Sequence, residues 1–353
     1  MTKKLIIINF LVFIVLLIIL ELILGDWFSK YNFGYHMRDK RLITYKVNTT
    51  INENKYNFNY IRNFYGFRMN SDIEPVNIDY LFQGGSTGDE MPLPYNETIV
   101  GKLNFFLNKD GINAQIINAS LSGKSTAGYN NDFKYWFPRL EDFKPKVIIF
   151  FSGHNDADIM HGFENNEKEF DIGIENRTFS NDFYKRTYDY ITNNSFILIK
   201  LKKIKDLYFD LNRQKILYDL DKQDLYSNFS YVDYKTANKI YSKKPLGALQ
   251  KKTISFYREN LKQLNFFIKK ANIKPIFVTQ ARFDGISTHR LYLVNKETKE
   301  FCKKNNYDLI KLDELYNPDY NDFFDEIHTS PKGSLKFAKI IYPVFKEVII
   351  NLN

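Results

Sequence analysis

Ser86 sits in Gly84-Gly85-Ser86-Thr87-Gly88-Asp89. Glycines on both sides let the backbone turn sharply and keep the hydroxyl exposed, as a nucleophile requires. Far along the chain, Asp325 stands in Asp325-Glu326-Ile327-His328. A carboxylate so placed can curl back, accept the Nδ1 proton of the imidazole and leave Nε2 free to draw a proton from a serine. Two further segments offer hydrogen-bond donors. One runs from Asn118 to Thr126 and contains Gly123; the other is Ser152-Gly153-His154-Asn155-Asp156, in which Asn155 is a neutral side-chain donor. Each segment alone has a plainer reading, because Gly/Ser loops mostly form turns. Gly123-Lys124-Ser125 invites a phosphate-loop reading, but that motif needs glycine at 118, where Asn118 stands. His154, Asp156, Asp158 and His161 resemble a metal cluster only in composition, since their spacing fits no helix or hairpin ligand pattern. No metal, cofactor or nucleotide is expected.

The four segments need elements to hold them. Tyr80-Leu81-Phe82-Gln83 precedes the serine loop, and Gln115-Ile116-Ile117-Asn118 precedes the Gly123 loop. Val147-Ile148-Ile149-Phe150-Phe151 runs into Ser152 and is apolar throughout, as a strand covered on both faces would be. Pro275 to Thr279 and Leu309 to Leu312 read as two more strands. Between them lie helices, the best marked having Ile254, Tyr257, Leu261, Leu264, Ile268 and Ala271 on one face. Strands alternating with helices predict a parallel sheet covered on both sides. The candidate residues then fall at strand ends, where ligands bind in open α/β sheets.

The chain has 353 residues, 44% of them hydrophobic, including 32 Phe and 25 Tyr, enough for a sizeable core. Its net charge of +9 is spread through the sequence without an Arg-rich block, so no nucleic-acid partner is expected. The single Cys302 excludes an intrachain disulfide. After Lys3 and Lys4 comes an apolar run, Leu5 to Leu20, extended past Glu21 by Leu22 to Leu24. That is long enough to cross a bilayer, and Gly25-Asp26-Trp27-Phe28 offers no small-residue cleavage site. An uncleaved anchor is therefore expected over residues 1–25, a linker and lead-in over 26–77, and a catalytic domain over 78–353. The lysines before the run predict a single-pass topology in the cell (inner) membrane, with the domain extracytoplasmic, on the periplasmic side. About residues 160–248 show no clear strand and read as a helical insertion, with Ile197, Leu201, Ile204, Tyr208 and Leu211 on one face of a basic helix.

In order and spacing the four segments resemble the SGNH hydrolases, or GDSL esterase/lipase family, over about residues 78–345. The resemblance implies a three-layer α/β/α sandwich on a five-stranded parallel sheet. It implies a triad of Ser86, Asp325 and His328, and an oxyanion hole formed by the Ser86 and Gly123 amides and the Asn155 side chain. The first block reads Gly-Gly-Ser-Thr where the family has Gly-Asp-Ser, and Ser120 stands where many members have glycine. Three functions follow: hydrolysis of an ester of a lipid or acylated glycan, O-acyl transfer to a surface polysaccharide, or glycan binding without catalysis. All three keep the membrane as a partner.

Overall fold

The computed structural model describes residues 2–25, 27–28, 37, 40–41, 43–71, 75, 77–140, 143–157, 183–198, 200–201, 204, 215–220, 231–319 and 321–352. Asp158, His161, Tyr208 and Leu211 lie outside the described residues.

The apolar N-terminal run forms helix α1, Thr2–Leu24, whose side chains are exposed along the apolar stretch. Five short apolar segments form a parallel sheet. They are β4 (Tyr80–Gly84), β5 (Ile116–Asn118), β6 (Val147–Phe151), β8 (Lys274–Val278) and β9 (Asp308–Ile310), in spatial order β5-β4-β6-β8-β9. This is the expected five-stranded parallel core, with the order reversing between β5 and β6 on either side of β4. Such a reversal opens a crevice at the carboxyl ends of the strands.

The alternation of the strands assigns each face. Leu81, Ile148, Phe150 and Phe277 point into one core with Ile254, Tyr257, Leu261, Leu264 and Ile268 of α7 (Ala248–Lys270) and Leu291 and Cys302 of α8 (His289–Asn305). Tyr80, Phe82, Ile149, Phe151 and Ile276 point to the other face. There they meet Ile99, Leu103 and Leu107 of α3 (Ile99–Lys109) and Phe337, Ile341 and Phe345 of α9 (Pro331–Leu352). A strand buried on both faces reads as a near-continuous apolar run, which is why these segments lack a polar alternation; the buried Gln83 and Asn118 stand near the carboxyl ends of β4 and β5. The result is a three-layer α/β/α sandwich.

The sheet is larger than five strands. The lead-in segment supplies β1 (Ile43–Ile51) and β2 (Asn54–Arg62), an antiparallel hairpin, and the two-residue β3 (Arg68–Met69), which pairs with β5. The hairpin turns at Asn52 and Glu53, both with positive φ (50° and 68°), the geometry whose twist matches the strands it joins. In β1 only Val47, Thr49 and Ile51 are buried, so its polar alternate residues belong to an exposed face. The insertion is not wholly helical either: β7 (Lys215–Leu220) pairs parallel with β1 and gives a nine-stranded sheet. Besides β7 its described residues form α5 (Phe183–Asn194), further helical residues at 196–198 and 200–201, and α6 (Tyr234–Tyr241).

Candidate active site

Ser86 opens the four-residue helix α2 (Ser86–Asp89), directly after β4 and Gly85. Gly85 has no room for a side chain. A Cβ there would lie 2.1 Å from Asn155 Nδ2 and 3.0 Å from the Lys124 carbonyl oxygen. Asn155 Nδ2 in turn donates to that same carbonyl at 2.7 Å. Three separate segments thus touch at one point: the residue before the serine, the residue after Gly123, and Asn155. An amide nitrogen carries two hydrogens. Lys124 takes one and fixes the plane of the group.

Gly123 has φ +77°, a conformation that favours glycine, and it turns the chain after β5 so that Lys124 faces inward. Lys124 is not a phosphate ligand here. Its ammonium is buried, 2.5 Å from Asp132 Oδ2 and 5.0 Å from the Trp136 ring, and burial lowers its pKa to about 8. Among the described residues, neither the Ser86 nor the Gly123 amide donates a hydrogen bond. Ser86, Gly123, Asn155, Asp325 and His328 are all half-buried, each still reached by solvent.

Asp325 and His328 form the expected pair. His328 Nδ1 lies 2.6 Å from Asp325 Oδ2, while Asp325 Oδ1 accepts the amides of Ile327 (2.8 Å) and His328 (2.7 Å). Burial pushes the Asp325 carboxyl up, but the His328 hydrogen bond and charge and these two amides bring it below its ordinary value. The carboxylate therefore stays ionised. The imidazole is stacked on Phe324 at 5.7 Å with a 7° angle between planes. With Nδ1 engaged, Nε2 is the nitrogen left to face a serine. No hydrogen bond joins Nε2 to Ser86 Oγ in this structure, and such contacts commonly tighten only when substrate binds.

Glu90 links the two halves of the site. It caps α2 in a left-handed conformation, φ 48°. Its Oε1 accepts from Thr329 Oγ1 (2.9 Å), the neighbour of His328, and from Ser334 Oγ (2.5 Å), while Oε2 accepts the Ile99 amide at the start of α3 (2.6 Å). Burial raises it to about 7 against the pull of these donors and Arg68. On the other side, Asp89 is held by Arg62 of β2 at 2.7 Å, by Tyr60 and by Ser122. Arg62 also donates to the carbonyls of Ser120 (2.7 Å) and Gly66 (2.8 Å). Asn118 completes the frame, donating to the Gly88 carbonyl at 2.9 Å. Sequence reasoning missed Glu90 and Arg62. Glu90 directly follows the serine block, which is a weak signal; Arg62 lies in a polar, Asn-rich stretch that gives none.

His154 and Asp156 are committed elsewhere. His154 Nε2 donates to the Ala281 carbonyl (3.2 Å), and burial together with Arg282 lowers its pKa to about 3, so the ring stays neutral. Asp156 accepts the amide (3.0 Å) and hydroxyl (3.1 Å) of Thr126, the first residue of α4 (Thr126–Asn131), which Ser125 caps. Among the described residues no group of His, Cys, Asp or Glu side chains is arranged to hold a metal ion.

No family model matches the chain, and no curated protein does. Among solved structures the chain is similar to TesA, at 11% identity and a TM-score of 0.43, over 76% of this chain and 98% of that one. It is also similar to an acetyl xylan esterase, AlAXEase, at 15% identity and 0.42, over 76% and 99%. A third is a member of the lipolytic protein G-D-S-L family from Veillonella parvula, at 13% identity and 0.41, over 76% and 99%.

Proposed function

We propose that the chain is a serine ester hydrolase of the SGNH type, held at a membrane by α1 with its catalytic domain outside the cytoplasm. The observation that carries this reading is the contact of Gly85, the Lys124 carbonyl and Asn155 Nδ2 at one point beside Ser86. That packing gathers three of the four sequence segments, and the Asp325–His328 pair, tied to α2 through Glu90 and Thr329, supplies the fourth.

The roles follow from the chemistry. His328 Nε2 takes the Ser86 proton as Oγ attacks an ester carbonyl, and Asp325 stabilises the imidazolium that forms. The carbonyl oxygen becomes an oxyanion facing the Ser86 amide, the Gly123 amide and the free hydrogen of Asn155 Nδ2. Collapse expels the alcohol, which receives the proton from His328, and leaves an acyl-serine. Water activated by His328 then releases the acid. The substrate would be an ester of a lipid or of an acylated glycan. A sugar hydroxyl could replace water at the last step, giving acyl transfer.

The test is hydrolysis of short-chain p-nitrophenyl esters together with labelling by a fluorophosphonate. Wild-type protein should turn over the ester and take the label at Ser86. Ser86→Ala should do neither while remaining folded. Full activity in Ser86→Ala would refute the mechanism. Products analysed with and without a glycan acceptor distinguish hydrolysis from transfer.

A further inference from the structure

The insertion meets α1 at a defined place. Glu21 is the only charged residue between Leu5 and Leu24. Its Oε2 accepts the backbone amide of Ile197 at 3.1 Å, at the start of a second helical stretch that includes residues 196–198 and 200–201. A carboxylate at a helix N-terminus is satisfied by the unpaired amides and by the dipole. An apolar groove beside this contact is lined by Ile14, Leu17, Ile18 and Leu22 of α1 and by Ile191 and Ile197 of the insertion. Glu21 lies about 26 Å along the helix from Lys4, at 1.5 Å per residue, so a span anchored at Lys4 brings Glu21 to the far edge of a hydrocarbon core of about 30 Å.

The insertion exposes apolar side chains at helical spacing beside this junction. Tyr184 (84% exposed) and Tyr188 (66%) lie one turn apart in α5. Leu198, Leu201 (54%) and Ile204 (58%) recur at every third position. Lys185, Arg186, Lys200, Lys202 and Lys203 are interleaved with them in sequence. Apolar residues at helical spacing, interleaved with basic ones, suit the boundary between acyl chains and anionic headgroups.

We propose that the helical residues 183–194, 196–198, 200–201 and 204 form a membrane-interface collar, lying on the leaflet from which α1 emerges, with an anionic lipid bilayer as its partner. Its occupant is assigned by continuity: the Glu21–Ile197 contact and the groove that Ile191 and Ile197 share with Ile14, Leu17, Ile18 and Leu22 join the segment to the C-terminal half of α1, whose other apolar side chains are exposed. The proposal rests on α1 being an uncleaved span.

The test uses the full chain in vesicles of phosphatidylcholine and phosphatidylglycerol carrying nitroxide lipids, shallow or deep. An environment-sensitive fluorophore is placed at Tyr188→Cys, Leu201→Cys, Val12→Cys or Lys262→Cys; the native Cys302 is buried and its thiol is raised to about 12, so it stays unlabelled. Labels at 188 and 201 should be quenched roughly twofold more by the shallow nitroxide than by the deep one, as a burial depth of about 5–10 Å requires. The label at 12 should be quenched most by the deep nitroxide, and the one at 262, on an exposed face of α7, by neither. Quenching at 12 with none at 188 and 201 overturns the collar and leaves the anchor standing. A blue shift at 201 without quenching by either nitroxide assigns the face to a protein partner and equally overturns it. No quenching at 12 removes the anchor, and the collar with it.

Discussion

Replacing Gly85 by alanine places a methyl group where the Asn155 amide now lies. The backbone at Gly85 (φ −86°, ψ −149°) has a negative φ, outside the left-handed region, so the penalty considered is the contact the new Cβ makes. The new Cβ would stand 2.1 Å from Nδ2, well inside van der Waals contact, and 3.0 Å from the Lys124 oxygen. The Asn155 side chain can swing away, so the stability loss should stay near the lower end of the ~1–3 kcal/mol typical of overpacking. Swinging away breaks the 2.7 Å bond to Lys124 and removes the donor from the oxyanion site. Loss of one such donor costs ~10²–10³ in kcat, or about 2.7–4 kcal/mol. Asn155→Ala should show the same loss by direct removal. In the double variant the methyl occupies space that Asn155 has vacated, so the combined loss should again be ~10²–10³, with a coupling energy of about 2.7–4 kcal/mol. Steady-state kinetics on a p-nitrophenyl ester for the four proteins of the cycle, with thermal unfolding of each, gives both terms. Additive losses of ~10⁴ or more, or full activity in Gly85→Ala, would refute the argument that Gly85 is small to admit Asn155.

Three other perturbations follow. Asp325→Asn should lower kcat by about 10⁴ with the fold retained, because an amide presents the wrong hydrogen-bonding group to His328 Nδ1; unchanged turnover would remove Asp325 from the triad. Glu90, raised to about 7 by burial, stays protonated in the folded chain at pH values where the unfolded chain has lost that proton. Its contribution is therefore whole below about 4.5 and falls as pH rises toward 7, by up to about 1.4 kcal/mol per pH unit. Urea unfolding of Glu90→Gln should lack that slope, and a slope equal to wild type would show that Glu90 ionises normally. Arg62→Met leaves the buried Asp89 carboxylate without its cation and should destabilise the chain by about 3–5 kcal/mol; a shift in unfolding free energy below about 1 kcal/mol would mean that Tyr60 and Ser122 suffice to hold it.

The parallel core is legible from the amino-acid order alone. β4, β6 and β8 are apolar at almost every position because both their faces are covered, and this local pattern survives in one dimension. The same order makes the Asp325–His328 pair readable, because a carboxylate three residues before an imidazole interacts within one turn of chain. The outer strands were hidden for the opposite reason. β1 buries only every second side chain near its end and shows Asn, Thr and Lys to solvent, so its composition resembles a linker. β7 pairs with β1 across a long sequence separation, and only tertiary structure brings the two together. The same holds for Glu90, Arg62 and the meeting of Gly85, Lys124 and Asn155. A buried charge and a close approach depend on what the fold places opposite a residue, and no spacing along the chain encodes the partner.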